Sequence, residues 1–139
     1  MKSAVVYWSS TGNTEAMAQA VVEGAKHAGA EAELFTAAEF DGGKMDEFDA
    51  VAFGCPAMGA EELEDGEFAP MFETCESKLS GKKIALFGSY GWGDGEWMRT
   101  WEENCRDKGA NLVCDSVICQ ETPDDEALSA CRSLGEALA

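Results

Sequence analysis

The chain is expected to adopt an α/β fold, a doubly wound parallel sheet of five strands with helices on both faces. Three features lead there. Five short apolar runs recur along the chain, helix-period patterns separate them, and most of the runs are apolar throughout instead of alternating with polar residues. An unbroken apolar run suits a strand covered on both faces, and regular alternation of strand and helix implies right-handed crossovers between parallel strands.

The strands are predicted at Ala4 to Trp8, Ala32 to Phe35, Ala50 to Phe53, Ile84 to Phe87 and Leu112 to Ile118. Met17, Ala20, Val21, Gly24 and Ala28 form the apolar stripe of a first helix. Phe68, Met71, Phe72 and Cys75 form a second, Trp97, Trp101 and Cys105 a third, and Leu128, Cys131, Leu134 and Leu138 the last. Gly29, Gly81 and Gly109 sit where helices need a left-handed stop, and Thr122-Pro123-Asp124-Asp125 reads as an N-cap, a first-turn proline and dipole-complementing acids. Between Thr36 and Asp49 the sequence Asp41-Gly42-Gly43 leaves room only for a short helix. No repeat, low-complexity tract or linker divides residues 1–139, so one domain is expected.

The first strand runs into Ser9-Ser10-Thr11-Gly12-Asn13-Thr14, short hydroxyls, a glycine and an asparagine at the start of a helix. First-turn amides lack an intrahelical acceptor and carry the positive end of the helix dipole, so such a loop can cradle a phosphate. No Lys or Arg lies between Lys2 and Lys26. Neutral donors would hold the anion, which suits a fixed monophosphate better than a triphosphate with Mg²⁺, and the Walker pattern is missing. A hydroxyl-rich helix cap is the alternative reading of the same residues.

In a parallel sheet the loops after strands one, three and four open on one edge, where ligands of this architecture collect. The third-strand loop is Gly54-Cys55-Pro56-Ala57-Met58-Gly59-Ala60-Glu61-Glu62, and the fourth is Gly88-Ser89-Tyr90-Gly91-Trp92-Gly93-Asp94-Gly95. Gly91 and Gly93 flank Trp92, so the backbone can bend closely around a flat object while the indole stacks on it. A planar, phosphorylated ligand is expected.

With 27 acidic residues against 10 basic ones the formal net charge is −17. That charge repels nucleic acid and anionic membranes and favours electropositive protein partners. No leader or apolar span is visible, which points to the cytoplasm. The six cysteines contain no C-x-x-C pair and His27 is the sole histidine, so metal ligation has poor support; the thiols are expected to be reduced core residues.

Through Ser9 to Thr14, Ala57-Met58-Gly59 and the block Ala85 to Gly95, the whole chain resembles the flavodoxins, in particular the short-chain kind from anaerobic bacteria. The resemblance implies noncovalently bound flavin mononucleotide (FMN), the strand order 2-1-3-4-5, and low-potential one-electron transfer by a carrier without a substrate or catalytic residue of its own. It assigns the phosphate to Ser9, Ser10, Thr11, Gly12, Asn13 and Thr14, with Ser89 assisting, and the ring to the loops Pro56-Ala57-Met58-Gly59-Ala60-Glu61 and Tyr90-Gly91-Trp92-Gly93-Asp94. Met58 and Trp92 would sandwich the ring and Glu61 would meet its N3–H. The Gly59-Ala60 peptide is implied to turn its carbonyl toward N5 on one-electron reduction, so Ala60→Gly should lower the first potential by tens of millivolts. Pro56 stands where many relatives carry a hydroxyl, which implies one phosphate bond fewer, and Ala60 where a small polar residue or Gly is common.

Glu61, Glu62, Glu64, Asp65, Glu67, Asp94 and Glu96 crowd the two ring loops. One carboxylate at about 10 Å in an effective dielectric near 20 opposes the second electron by roughly 1.7 kcal/mol, on the order of 70 mV. The same rim would dock basic patches on redox enzymes such as a pyruvate oxidoreductase, a hydrogenase or a flavodoxin reductase, with the carrier a monomer. An NAD(P)H-dependent FMN oxidoreductase of the same fold is the main alternative, although no G-x-G-x-x-G run or cation cluster receives a nicotinamide nucleotide. A receiver domain would need an Asp after strand three, where Gly54-Cys55-Pro56 stands, and a cysteine phosphatase would need an Arg six residues after Cys55. A pure FMN store is a further alternative.

Overall fold

The computed structural model describes residues 2–58, 62–91 and 93–139. Its strands are β1 (Lys2–Tyr7), β2 (Glu31–Thr36), β3 (Ala50–Gly54), β4 (Lys83–Tyr90), β5 (Asn111–Leu112) and β6 (Val117–Gln120). They form one parallel sheet in the order β2-β1-β3-β4, with β5 and β6 both lying beside β4. The order 2-1-3-4-5 therefore holds, with the fifth place divided between two short strands.

That division corrects the single run expected from Leu112 to Ile118. Lys83 pairs with Asn111 and Phe87 with Val117, so the residue offset grows from 28 to 30 and the outer strand carries two extra residues. A strand paired on one side only can bulge in this way, and an even insertion keeps each side chain on its original face. Ser116 in the bulge instead donates its hydroxyl to Glu102 Oε2 at 2.7 Å.

The helices are α1 (Asn13–His27), α2 (Gly42–Met45), α3 (Phe68–Cys75), α4 (Glu96–Asp107) and α5 (Asp125–Leu138). The segment before β3 holds a 3₁₀ turn at Ala37–Glu39 and then α2, a single turn capped by Asp41 Oδ1, which accepts the Lys44 N–H at 3.2 Å. Gly29, Gly81 and Gly109 take positive φ as expected. Ala28 does not join the buried stripe: it lies past the end of α1 and is exposed. The cap of α5 is Asp124, not Thr122. Its carboxylate accepts the Ala127 N–H at 2.8 Å, three residues on, where an N-cap oxygen must reach.

Successive strand residues serve opposite faces. Ala4, Val6, Val51, Phe53, Ile84 and Leu86 join one core with residues of α3 and α4, among them Phe68, Phe72, Trp97 and Trp101. Val5, Tyr7, Ala50, Ala52, Ala85 and Phe87 join the other, under Met17 and Val21 of α1 and Leu134 and Leu138 of α5. α1 and α5 meet backbone to backbone. A Cβ at Gly24 would lie 1.9 Å from the Arg132 carbonyl oxygen, and one at Gly135 2.0 Å from that of Val21.

Candidate functional site: a four-loop cleft at the sheet edge

At the C-terminal edge of the sheet, where β1 and β3 diverge to opposite sides, four loops enclose a cleft of about 240 Å³. Ser10 and Thr11 come from the loop after β1, Asn13 from the start of α1, and Pro56, Ala57 and Met58 from the loop after β3. Ser89, Tyr90 and Gly91 come from the end of β4, and Glu121 from the loop after β6. Among these described lining residues there is no Lys or Arg.

The first wall is a turn locked at Gly12, whose φ of +93° disfavours any Cβ and whose Cβ position faces open space. The Ser9 hydroxyl accepts the Gly12 N–H at 3.1 Å. The first intrahelical bond of α1 is Ala16 N–H to the Gly12 carbonyl at 3.0 Å, so the amides of Asn13, Thr14 and Glu15 precede the ladder. Ser10 and Thr11 are exposed and line the cleft. Thr14 is used differently. Its hydroxyl and that of Ser89 lie 3.1 Å apart, both residues buried, and brace α1 against β4.

Backbone bonds join the second and third walls: Cys55 N–H donates to the Phe87 carbonyl at 3.2 Å and Ala57 N–H to that of Ser89 at 3.0 Å. Trp97 Nε1–H donates to the Cys55 carbonyl at 3.2 Å, and its ring lies 5.5 Å from that of Tyr90. The fourth wall is absent from the sequence expectations. Glu121 takes φ +60° and donates its N–H to the Tyr90 carbonyl at 2.7 Å, while Gln120 Nε2 donates to the Gly91 carbonyl at 3.3 Å. A loop after the outermost strand opens on the same edge as the others, and that rule could have found both residues.

Of the residues assigned from sequence, the cleft gathers Ser10, Thr11, Asn13, Pro56, Ala57, Met58, Ser89, Tyr90 and Gly91. Ser9 and Gly12 line an adjoining recess of about 400 Å³ with Tyr7, Trp8 and Glu15. There burial, and then the 2.9 Å hydrogen bond to Glu15, raises the Tyr7 pKa above its ordinary value. Gly93 and Asp94 stand outside the lining of both, and Gly59, Ala60, Glu61 and Trp92 fall outside the described residues.

Three carboxylates expected as a free acidic rim have other work. Glu64 is 9% exposed and points inward. Burial raises its pKa, but backbone donors from Phe68, Glu67 and Gly66 outweigh that effect and hold it below its ordinary value. Glu67 Oε1 accepts from Trp8 Nε1 at 3.2 Å, and Asp94 pairs with Arg99 at 3.1 Å. Glu62, Asp65 and Glu96 remain exposed. All six cysteines are free, and burial pushes the thiols of Cys55, Cys105 and Cys131 up to about 12.

A doubly wound sheet with a cation-free, donor-lined cradle at its switch point defines a mononucleotide-binding protein. Residues 5–135 match the flavodoxin family profile. The chain is 46% identical over 138 residues to the flavodoxin of Megasphaera elsdenii, covering 97% of this chain and 96% of that one. It is 43% identical over 135 residues to that of Clostridium beijerinckii, with 97% of each covered. The solution structure of two-electron reduced M. elsdenii flavodoxin matches at a TM-score of 0.89 and 45% identity over 98% of this chain and 97% of that one. This chain belongs to the flavodoxin family. It is an FMN-binding electron carrier that serves redox partner proteins, and it is not an enzyme. Among the described residues no helix is long and apolar enough to cross a membrane.

Proposed function

We propose that residues 1–139 act as one domain and a cytoplasmic monomer that shuttles single electrons at low potential, with FMN seated in the four-loop cleft. The observation that carries this reading is the convergence of the hydroxyl loop, the Met58 loop and the Tyr90 loop on one cleft whose described lining holds no cation. Ser9, Ser10, Thr11, Gly12, Asn13 and Thr14 would hold the phosphate through neutral donors, Thr14 by its backbone N–H, with Ser89 assisting by bracing the Thr14 hydroxyl. Each charge-assisted bond is worth about 1.5–3 kcal/mol. Pro56, Ala57 and Met58 line the cleft together with Tyr90 and Gly91 and would receive the flat ring; Gly59, Ala60, Glu61, Trp92, Gly93 and Asp94 belong to the same loops and complete the assignment. When bound, the flavin takes up and returns electrons one at a time.

The exposed carboxylates of Glu62, Asp65 and Glu96 flank these loops, raise the cost of adding negative charge there and favour basic partner surfaces. The carrier would therefore receive electrons from, and in its reduced form deliver them to, enzymes such as pyruvate oxidoreductase, hydrogenase or flavodoxin reductase at rates that fall with ionic strength. The test is spectroelectrochemical titration of the purified protein with FMN. Stoichiometric binding and two separated one-electron potentials are expected, the second well below that of free FMN. A colourless protein that does not take up added FMN would overturn the reading, and steady NADH oxidation by the isolated protein would favour the oxidoreductase alternative.

A further inference from the structure

The loop from Cys55 to Glu64 leaves β3 and leads toward α3, and its two feet are tied to each other. Glu64 N–H donates to the Cys55 sulfur at 3.4 Å, with Cys55 wholly buried. The Glu64 carboxylate turns inward and accepts the N–H groups of Gly66 at 2.6 Å, Glu67 at 2.7 Å and Phe68 at 2.8 Å. Its carbonyl accepts the Ala69 N–H at 2.9 Å. A carboxylate with three backbone donors makes charge-assisted bonds and supplies acceptors that the start of a helix lacks. Phe68, the last of those donors, is packed against Phe53, Phe72 and Trp101, so this anchor reaches into the core.

Inside the tied feet, Met58 N–H donates to the Glu62 carbonyl at 2.9 Å. That crossing leaves three positions, 59–61, between its partners. We propose that Glu64, backed by Cys55, is a positioning residue for the flavin: without touching the cofactor, it holds the Met58–Glu62 crossing at a fixed spacing. It thereby sets how differently the loop binds oxidised and reduced FMN. The inference rests on the FMN reading above. A loop discriminates between two ligand states through the contacts, strain and entropy that differ between them, and a loosened foot reduces that difference by letting many arrangements serve both states. None of the other five described acidic residues near the loops shares this geometry; Glu67 and Asp94 bond outward, to Trp8 and Arg99.

The experiment compares the parent with Glu64→Ala, Glu64→Gln and Asp41→Ala, the last removing a helix cap at α2, next to the Lys82 contacts at the start of β4. Amide exchange is followed in the FMN-free proteins, and FMN affinity and both one-electron potentials in the loaded ones. In Glu64→Ala the Met58 amide should exchange about tenfold faster relative to the amides of β3, FMN should bind about tenfold more weakly, and the gap between the two potentials should narrow. Glu64→Gln keeps one acceptor oxygen and should give about a third of the effect; it carries the comparison if Glu64→Ala does not fold. Asp41→Ala should lower global stability without these changes. If the parent binds FMN but Met58 exchange stays in step with β3 and the potential gap is unchanged in both Glu64 variants, the proposal is overturned while the FMN reading stands. A parent that does not bind FMN removes the reading and the proposal together.

Discussion

The two faces of the sheet hold their helices by different means. Under α1 and α5 the strands present Ala50, Ala52 and Ala85, and the helices approach until Gly24 and Gly135 meet opposing carbonyls. Under α3 and α4 the contact is made by rings: Phe53 lies 5.0 Å from Phe72 and 6.5 Å from Phe68, and Trp101 lies 5.5 Å from Phe68. Backbone contact leaves no rotatable group to absorb a shift, so α1 is fixed relative to α5. Ring contact has χ angles to spare, and the loops leading into α3 and α4 carry the walls that would meet the flavin ring. The N-terminus of α1 and the loops leading into α3 and α4 thus meet at one edge of the sheet with different freedom to adjust.

Breaking the ring face should have the largest effect. Phe53→Ala removes the ring shared by Phe40, Phe68 and Phe72 and is expected to cost about 4 kcal/mol in urea unfolding; a loss under about 1 kcal/mol would mean that the rings close the gap. Next comes Gly135→Ala, whose Cβ would press on backbone. About 3 kcal/mol should be lost, because neither helix can yield by rotating a side chain. An unchanged urea midpoint would show that α1 and α5 slide, and the contrast between the faces would fail.

Smaller changes sharpen the contrast at the cleft itself. Thr14→Val leaves Ser89 Oγ without its buried partner and should cost about 1–2 kcal/mol, with FMN binding weakened several-fold as α1 loses its brace to β4. Wild-type FMN affinity in this variant would show that the backbone contacts of α1 suffice. Glu121→Gly should have the smallest effect and the opposite sign. It relieves a side chain at φ +60° by about 1 kcal/mol and removes a carboxylate from the cleft, so FMN should bind a few-fold more tightly. Weaker binding would show that Glu121 contributes favourably to the cleft.

The central strands were legible because Ala4 to Tyr7, Ala50 to Phe53 and Ile84 to Phe87 are apolar on both faces, a pattern no surface strand needs. The turn at Gly12 that opens α1 was legible because its residues are contiguous, Ser9 to Thr14. The outer strand was not: Leu112 to Ile118 is apolar enough to read as one run, and only pairing with β4 reveals the two-residue bulge. Glu64 looked like one more rim acid, since composition does not say which way a carboxylate turns. The Thr14–Ser89 brace joins residues 75 apart in the chain, and the Gln120 and Glu121 wall lies beyond the three loops that the hydroxyl and aromatic residues marked.

By itself the sequence determined what depends on neighbours along the chain: strand and helix alternation, the positive-φ glycine stops, a phosphate-suited turn and the loops able to flank a flat ring. Tertiary structure decided what depends on distance across the chain, namely the strand register at the sheet edge, the glycine contact of α1 with α5, and the capture of Glu67 by Trp8. The reason is that hydrophobic period and turn chemistry are local energies, whereas strand pairing, helix–helix approach and the Trp8–Glu67 bond join residues far apart in the chain.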